Sequence, residues 1–319
     1  MKRNLLNVTL PFAFLLIALA SCVNDDLSEC YTDNVRLDFY LYPHARNLFM
    51  QQISSVDVFV FNSDSLFITR KRVEKNEMER SGFMGTYLSL VPGQYMVACW
   101  ANVGVSSEVS PLTACETILN STFVSMNAVP GDSLYYAPAR RHINSGSGGT
   151  RAVAGADTLY SINANFGDYI VKDVEFIRAY RTIIVYIKGI STESTYNSPL
   201  VEVSELSTFY DFSYRTLTST KKAFTRSSQM ADIQSETLWV SHFCTVFEPI
   251  TNNILVNVKQ NNEPIASVKL LDYVKEFYPS DFNLDDIEIW IEFDPNDKTN
   301  IIITLPPWHV EPVDPVFPE

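Results

Sequence analysis

Basic side chains are scarce in this 319-residue chain: 24 Lys and Arg stand against 37 Asp and Glu. Affinity for nucleic acid comes from cations that neutralise phosphates. No basic patch with interleaved aromatics offsets the deficit, so nucleic acid is excluded as a partner. Histidine is rarer still, with His44, His142, His242 and His309 alone. No two of them stand at helical spacing, and H-E-x-x-H, C-x-x-C, G-x-S-x-G and G-x-G-x-x-G are all missing. The sequence therefore offers no catalytic set, no metal-ligand set and no cofactor loop, and it reads as a protein that is not an enzyme. The run Ser145-Gly146-Ser147-Gly148-Gly149-Thr150 lacks the Lys-Ser/Thr of a phosphate loop and reads as a linker or long loop. Five cysteines in so long a chain make no disulfide framework. Beyond Cys22, the one pair close in sequence is Cys99 with Cys115, and buried free thiols are the simpler expectation. A long amphipathic helix is missing as well.

Two local groupings invite chemistry without compelling it. His242 and Cys244 stand at i and i+2 on one predicted strand face, which suits packing better than a Cys–His catalytic pair. Asp281, Asp285, Asp286 and Glu288 cluster, but their spacing is not that of a calcium loop. A solvated loop before a strand accounts for them.

What is present begins at the N-terminus. Lys2 and Arg3 precede an apolar run whose cleaner core is Leu10 to Ala20. That core is shorter than the roughly 20 residues a bilayer span needs, and small residues follow it, as in a secretory signal. Leu19-Ala20-Ser21-Cys22 resembles a bacterial lipobox. Residues 1–21 are thus expected to be a signal peptide and Cys22 the lipid attachment site. Acyl chains stabilise membrane binding by about 0.8 kcal/mol per buried CH₂, and two or more chains hold stably. The acidic pair Asp25-Asp26 follows. It suits either a surface-export signal or a plain solvated stalk over residues 22–34. Without Lys2 and Arg3, 22 basic side chains remain against 37 acidic ones, a net charge near −15.

Beyond the stalk, strand patterns dominate. Val35, Leu37, Phe39 and Leu41 alternate with polar residues, while Val56 to Phe61 is apolar at nearly every position and reads as a central strand. Arg70-Lys71-Arg72 reads as a solvated edge face. Trp100 lies in the strand run Tyr95 to Asn102 and is expected in a core. The second half repeats this grammar, with Thr182 to Ile190, Thr208 to Tyr214, Leu238 to Phe247, Ile254 to Lys259 and Ile265 to Leu271. Tyr273 to Tyr278 reads as one or two helical turns. Ile287, Ile289, Ile291 and Phe293 form one apolar strand face, and Ile301 to Leu305 pairs back. Short strands with frequent turn signals predict an all-β protein of two tandem β-sandwiches, over residues 35–160 and 161–319, the second ending in a Pro-rich tail. The border follows the Gly/Ser run.

One ordered set of residues carries a resemblance. Asp25-Asp26-Leu27-Ser28-Glu29-Cys30, Leu37-Asp38-Phe39, Val58-Phe59-Val60-Phe61, Pro92-Gly93-Gln94-Tyr95, Trp100-Ala101-Asn102, Phe176-Ile177-Arg178 and Trp308 follow the lipobox in that order. Together they resemble the anchor lipoproteins of type V fimbriae of Bacteroidales, the Mfa and Fim systems. The resemblance implies transthyretin-like sandwiches, an outer-membrane tether through Cys22, stalk subunits as partners, a limit on fimbrial length, and assembly by strand addition. On that reading the first strand, Val35 to Tyr42, stays in its own sheet and leaves no open groove, while the C-terminal segment Asn300 to Val310 can still reach a neighbour. A second reading stays open: with 16 Tyr and 4 Trp, the chain suits a surface lipoprotein that binds glycan.

Overall fold

The computed structural model of the chain describes residues 32–41, 46–81, 83–104, 106–126, 132–137, 161–165, 168–191, 198–212, 221–246, 250, 253–278, 285–294, 297 and 300–309. Cys22, its flanking motif, the acidic pair, Asp281 and the Gly/Ser run lie outside these residues.

The fold is all-β. The first half contains β1 (Val35–Leu41), α1 (Arg46–Gln52), β2 (Ser55–Asn62), β3 (Phe67–Glu74), α2 (Lys75–Ser81), β4 (Gly85–Leu88), β5 (Gly93–Ala101), β6 (Ser107–Val109), β7 (Phe123–Met126), β8 (Tyr135–Ala137), β9 (Ser161–Ala164) and β10 (Ile170–Arg178). Eight of these strands form one sheet in the order β3-β2-β5-β8-β10-β1-β4, with β9 also on β5. The alternation read from the sequence sets its faces. Val35, Leu37, Phe39 and Leu41 meet Val56, Val58 and Val60 in one core. The intervening Phe59 and Phe61 join Trp100 in a second core on the opposite face of β2. β2 is therefore buried on both sides, as its unbroken apolar run requires.

The second half contains β11 (Tyr180–Lys188), β12 (Leu200–Ser207), β13 (Phe209–Asp211), β14 (Lys221–Ser227), β15 (Gln229–Ile233), β16 (Glu236–Val246), β17 (Leu255–Gln260), β18 (Glu263–Lys269), α3 (Leu270–Phe277), β19 (Asp286–Phe293) and β20 (Ile301–Thr304). A five-stranded sheet, β15-β16-β11-β19-β20, packs on a four-stranded one, β14-β12-β17-β18. Ile287, Ile289, Ile291 and Phe293 fill the core between them. Each such fully buried side chain stabilises the fold by roughly 1.5–3 kcal/mol. The β17–β18 hairpin turns through Asn261 and Asn262 at φ 54° and 66°, the left-handed pair of a type I′ turn. Gly189, at φ +84°, closes the end of β11 where a Cβ would stand 2.0 Å from the Phe293 carbonyl.

Two sequence readings change, a third gains a partner and a fourth holds. First, β9 and β10 lie beyond residue 160 yet pair with β5, β1 and β8. Sheet membership changes at Ala179. Second, the halves interlock. β12 has a bulge between Val203 and Leu206, with Glu205 at φ 59°, and stays paired with β14 as far as Ser207; β13 then pairs with β7 of the first half. Tyr210 and Phe212 enter the Trp100 core. Third, Arg70-Lys71-Arg72 lies on an edge strand with both arginines exposed, as read, but two of its charges also find a buried partner. Arg70 and Arg72 both bind Asp57, at 2.9 and 3.0 Å, and Asp57 is fully buried. Fourth, residues 301–304 pair back as read, with β20 on β19 throughout.

Candidate functional site: the first strand, the sheet edges and a junction cleft

The stalk enters the fold at Asn34, and the local chemistry fixes it there. The Asn34 side chain donates to the Leu90 carbonyl at 2.7 Å and accepts from the Leu90 N–H at 2.9 Å. Its own carbonyl accepts from Ile170 N–H at 2.8 Å. β1 then lies between β10, parallel over seven residue pairs, and β4, antiparallel over four. The first strand is thus paired on both edges within its own sheet.

The two ends of that sheet, β3 and β4, come within one side chain of each other. Lys71 stands opposite Val58, on the face of the first core, and its Nζ donates to the Tyr87 carbonyl on β4 at 2.8 Å. An inward-pointing lysine on an edge strand is a known protection against pairing with a further strand. In the second half β20 is an outer strand of its sheet, and Ile302 on it is 52% exposed. Just beyond, Trp308 turns back over Tyr186 and Trp290, at ring distances of 5.0 and 5.7 Å. Its Nε1 donates to Glu288 Oε2 at 3.1 Å.

The residues singled out for chemistry take structural places. Among the described residues no group of His, Cys, Asp and Glu is arranged to hold a metal ion. His242 and Cys244 lie on the outer face of β16, opposite Ile184 and Thr182. Burial first, then the Arg226 charge, lowers the His242 pKa, so the ring is neutral at neutral pH. Burial raises that of Cys244 and, more strongly, that of Cys99, so both remain thiols. Cys99, Cys115 and Cys244 form no disulfide. Asp286 is held by Arg178 and Glu288 by Trp308. Trp100 is fully buried against Tyr136 and Tyr210, as its strand pattern implies.

Sequence reasoning missed a cleft of about 570 Å³ where the sheets change over. Gln51 and Gln52 of α1, Tyr135 of β8, Arg178 of β10 and Tyr180 of β11 converge on it. Arg178 is pinned by Asp286 at 2.5 Å and Thr182 at 2.6 Å, and its guanidinium lies 4.0 Å from the centre of the Tyr180 ring. Tyr135 donates to the Gln52 side-chain carbonyl. These groups are spread over some 130 positions of sequence, and no motif links them.

Comparisons place these features in a family. No curated protein sequence matches the chain. Among solved structures, a candidate adhesin from Bacteroides ovatus matches with a TM-score of 0.63 at 14% identity, over 85% of this chain and 93% of its own. A candidate polysaccharide-binding protein from Bacteroides thetaiotaomicron matches at 0.59 and 12%, over 81% and 90%. The fimbrial anchor protein Mfa2 from Porphyromonas gingivalis matches at 0.53 and 12%, over 84% and 94%. At such identities the likeness is one of fold. The family model for fimbrillin-A associated anchor proteins Mfa1 and Mfa2 matches residues 27–314, and the chain belongs to that family.

Proposed function

We propose that the chain is a lipid-tethered fimbrial subunit that anchors a type V fimbria to the outer membrane through Cys22 and limits its length. The observation that carries this reading is the capture of β1. The strand that follows the stalk is paired on both edges, and Asn34 clamps its entry. A pull on the tether is therefore met by two hydrogen-bonded ladders and by the first core. A subunit at the base of a fibre needs this, and a strand available for exchange would not provide it.

The edges support a one-sided role in strand addition. Lys71 occupies the seam between β3 and β4, so among the described residues that seam offers no ready groove to an incoming strand. The outer edge of β20 carries the exposed Ile302, and a stalk subunit adds its strand there. Main-chain hydrogen bonds give such a joint its strength, and side-chain pockets its specificity. The lipid supplies attachment to the membrane. Among the described residues no helix is long and apolar enough to cross one.

Deleting the gene and imaging cells and medium by electron microscopy tests the reading. Long fibres shed into the medium are expected. Cell-bound fibres of unchanged length would overturn it.

A further inference from the structure

We infer that the cleft at the sheet changeover is a binding site for a neutral carbohydrate. Its volume of about 570 Å³ is within the range of small-molecule sites, which combine apolar walls with a few convergent polar groups.

The lining selects the ligand by charge and shape. Arg178 is the lining cation, and its charge is met by Asp286 at 2.5 Å and by Asp285 at 3.9 Å. An anion would find that charge already spent. The amides of Gln51 and Gln52 are neutral and planar, and each can engage two adjacent hydroxyls. Tyr135 and Tyr180 meet edge to face at 5.7 Å, which gives an aromatic wall for the C–H face of a sugar ring. Leu48, 40% exposed, adds an apolar rim.

One observation favours a bound ligand over a plain gap between the halves: the polar groups are fixed in advance, with Thr182 and Asp286 holding Arg178 and Gln52 accepting from Tyr135. Such fixing reduces the ordering cost of binding. The inference does not depend on the anchoring role.

The test is saturation-transfer NMR on the purified mature protein with neutral mannosides, galactosides and N-acetylglucosamine, and with a sialylated sugar as the anionic control. Gln51→Trp, on the exposed face of α1, would fill the cleft, and Leu48→Asp would remove its apolar rim. Transfer from at least one neutral sugar is expected, with affinity falling about tenfold or more in Gln51→Trp at an unchanged melting temperature. Leu48→Asp should weaken binding as well. No transfer from any neutral sugar, a preference for the sialylated one, or binding indifferent to both substitutions would overturn the inference. Fimbrial anchoring is read separately in cells, so either result stands by itself.

Discussion

Asp57 takes two arginines at once, Arg70 and Arg72 on the neighbouring strand, and Arg72 also reaches Ser55 Oγ and the Val103 carbonyl, each at 3.0 Å. In sequence the triplet Arg70-Lys71-Arg72 stands alone, and its charges look solvated, because the carboxylate that orders two of them is 13 to 15 positions away. Register decides their fate: Arg72 pairs directly with Asp57, and Arg70 with Phe59. Asp57→Ala should lower stability by about 2 kcal/mol through lost charge-assisted bonds. The arginines retain partial exposure and so avoid the full penalty of a buried lone charge. Urea unfolding of the variant beside the parent checks this, and an unchanged midpoint would mean that the pairs contribute nothing. Trp100, by contrast, was legible as a core residue, because the strand pattern around it allows little else.

At the level of elements, alternation predicted β1, β2, β5, β11 and β19 and the faces they bury. It gave no sign of α1 or α2, each only seven residues long. It also assigned 208–214 to the second half, where β13 instead pairs with β7. A pairing partner is a property of three-dimensional register, and short strands carry too few residues to specify it. Two elements yield tests. Lys71→Val removes the inward charge from the β3–β4 seam and should produce concentration-dependent oligomers on size exclusion that the parent does not form. Identical elution of the two would refute the seam's protective role. At the other end of the chain, Trp308 covers Tyr186 and Trp290. Trp308→Ala should cost about 2 kcal/mol and make the remaining tryptophan emission easier to quench with acrylamide, because Trp290 loses its cover. Emission as shielded as in the parent would contradict that packing.

For the molecule as a whole, the sequence is most informative about attachment and least about recognition. The proposed lipid attachment would rest on a contiguous motif, so its candidate, Leu19-Ala20-Ser21-Cys22, is visible in the sequence. The capture of β1 is a property of tertiary structure, and so is the junction cleft, whose groups run from α1 to the entry of β19. Sheet membership changes at Ala179 because strand pairing sets it, and pairing is not written in local composition. A first strand held on both edges and, among the described residues, an outer strand β20 with the exposed Ile302 are what the proposed anchoring role rests on. The most direct test is Cys22→Ala expressed in place of the parent, with membrane and medium fractions probed for this protein and for fimbriae. Folded protein and long fimbriae should both appear in the medium. Fimbriae that stay on the cell at normal length, or a variant that remains in the membrane fraction, would contradict the account.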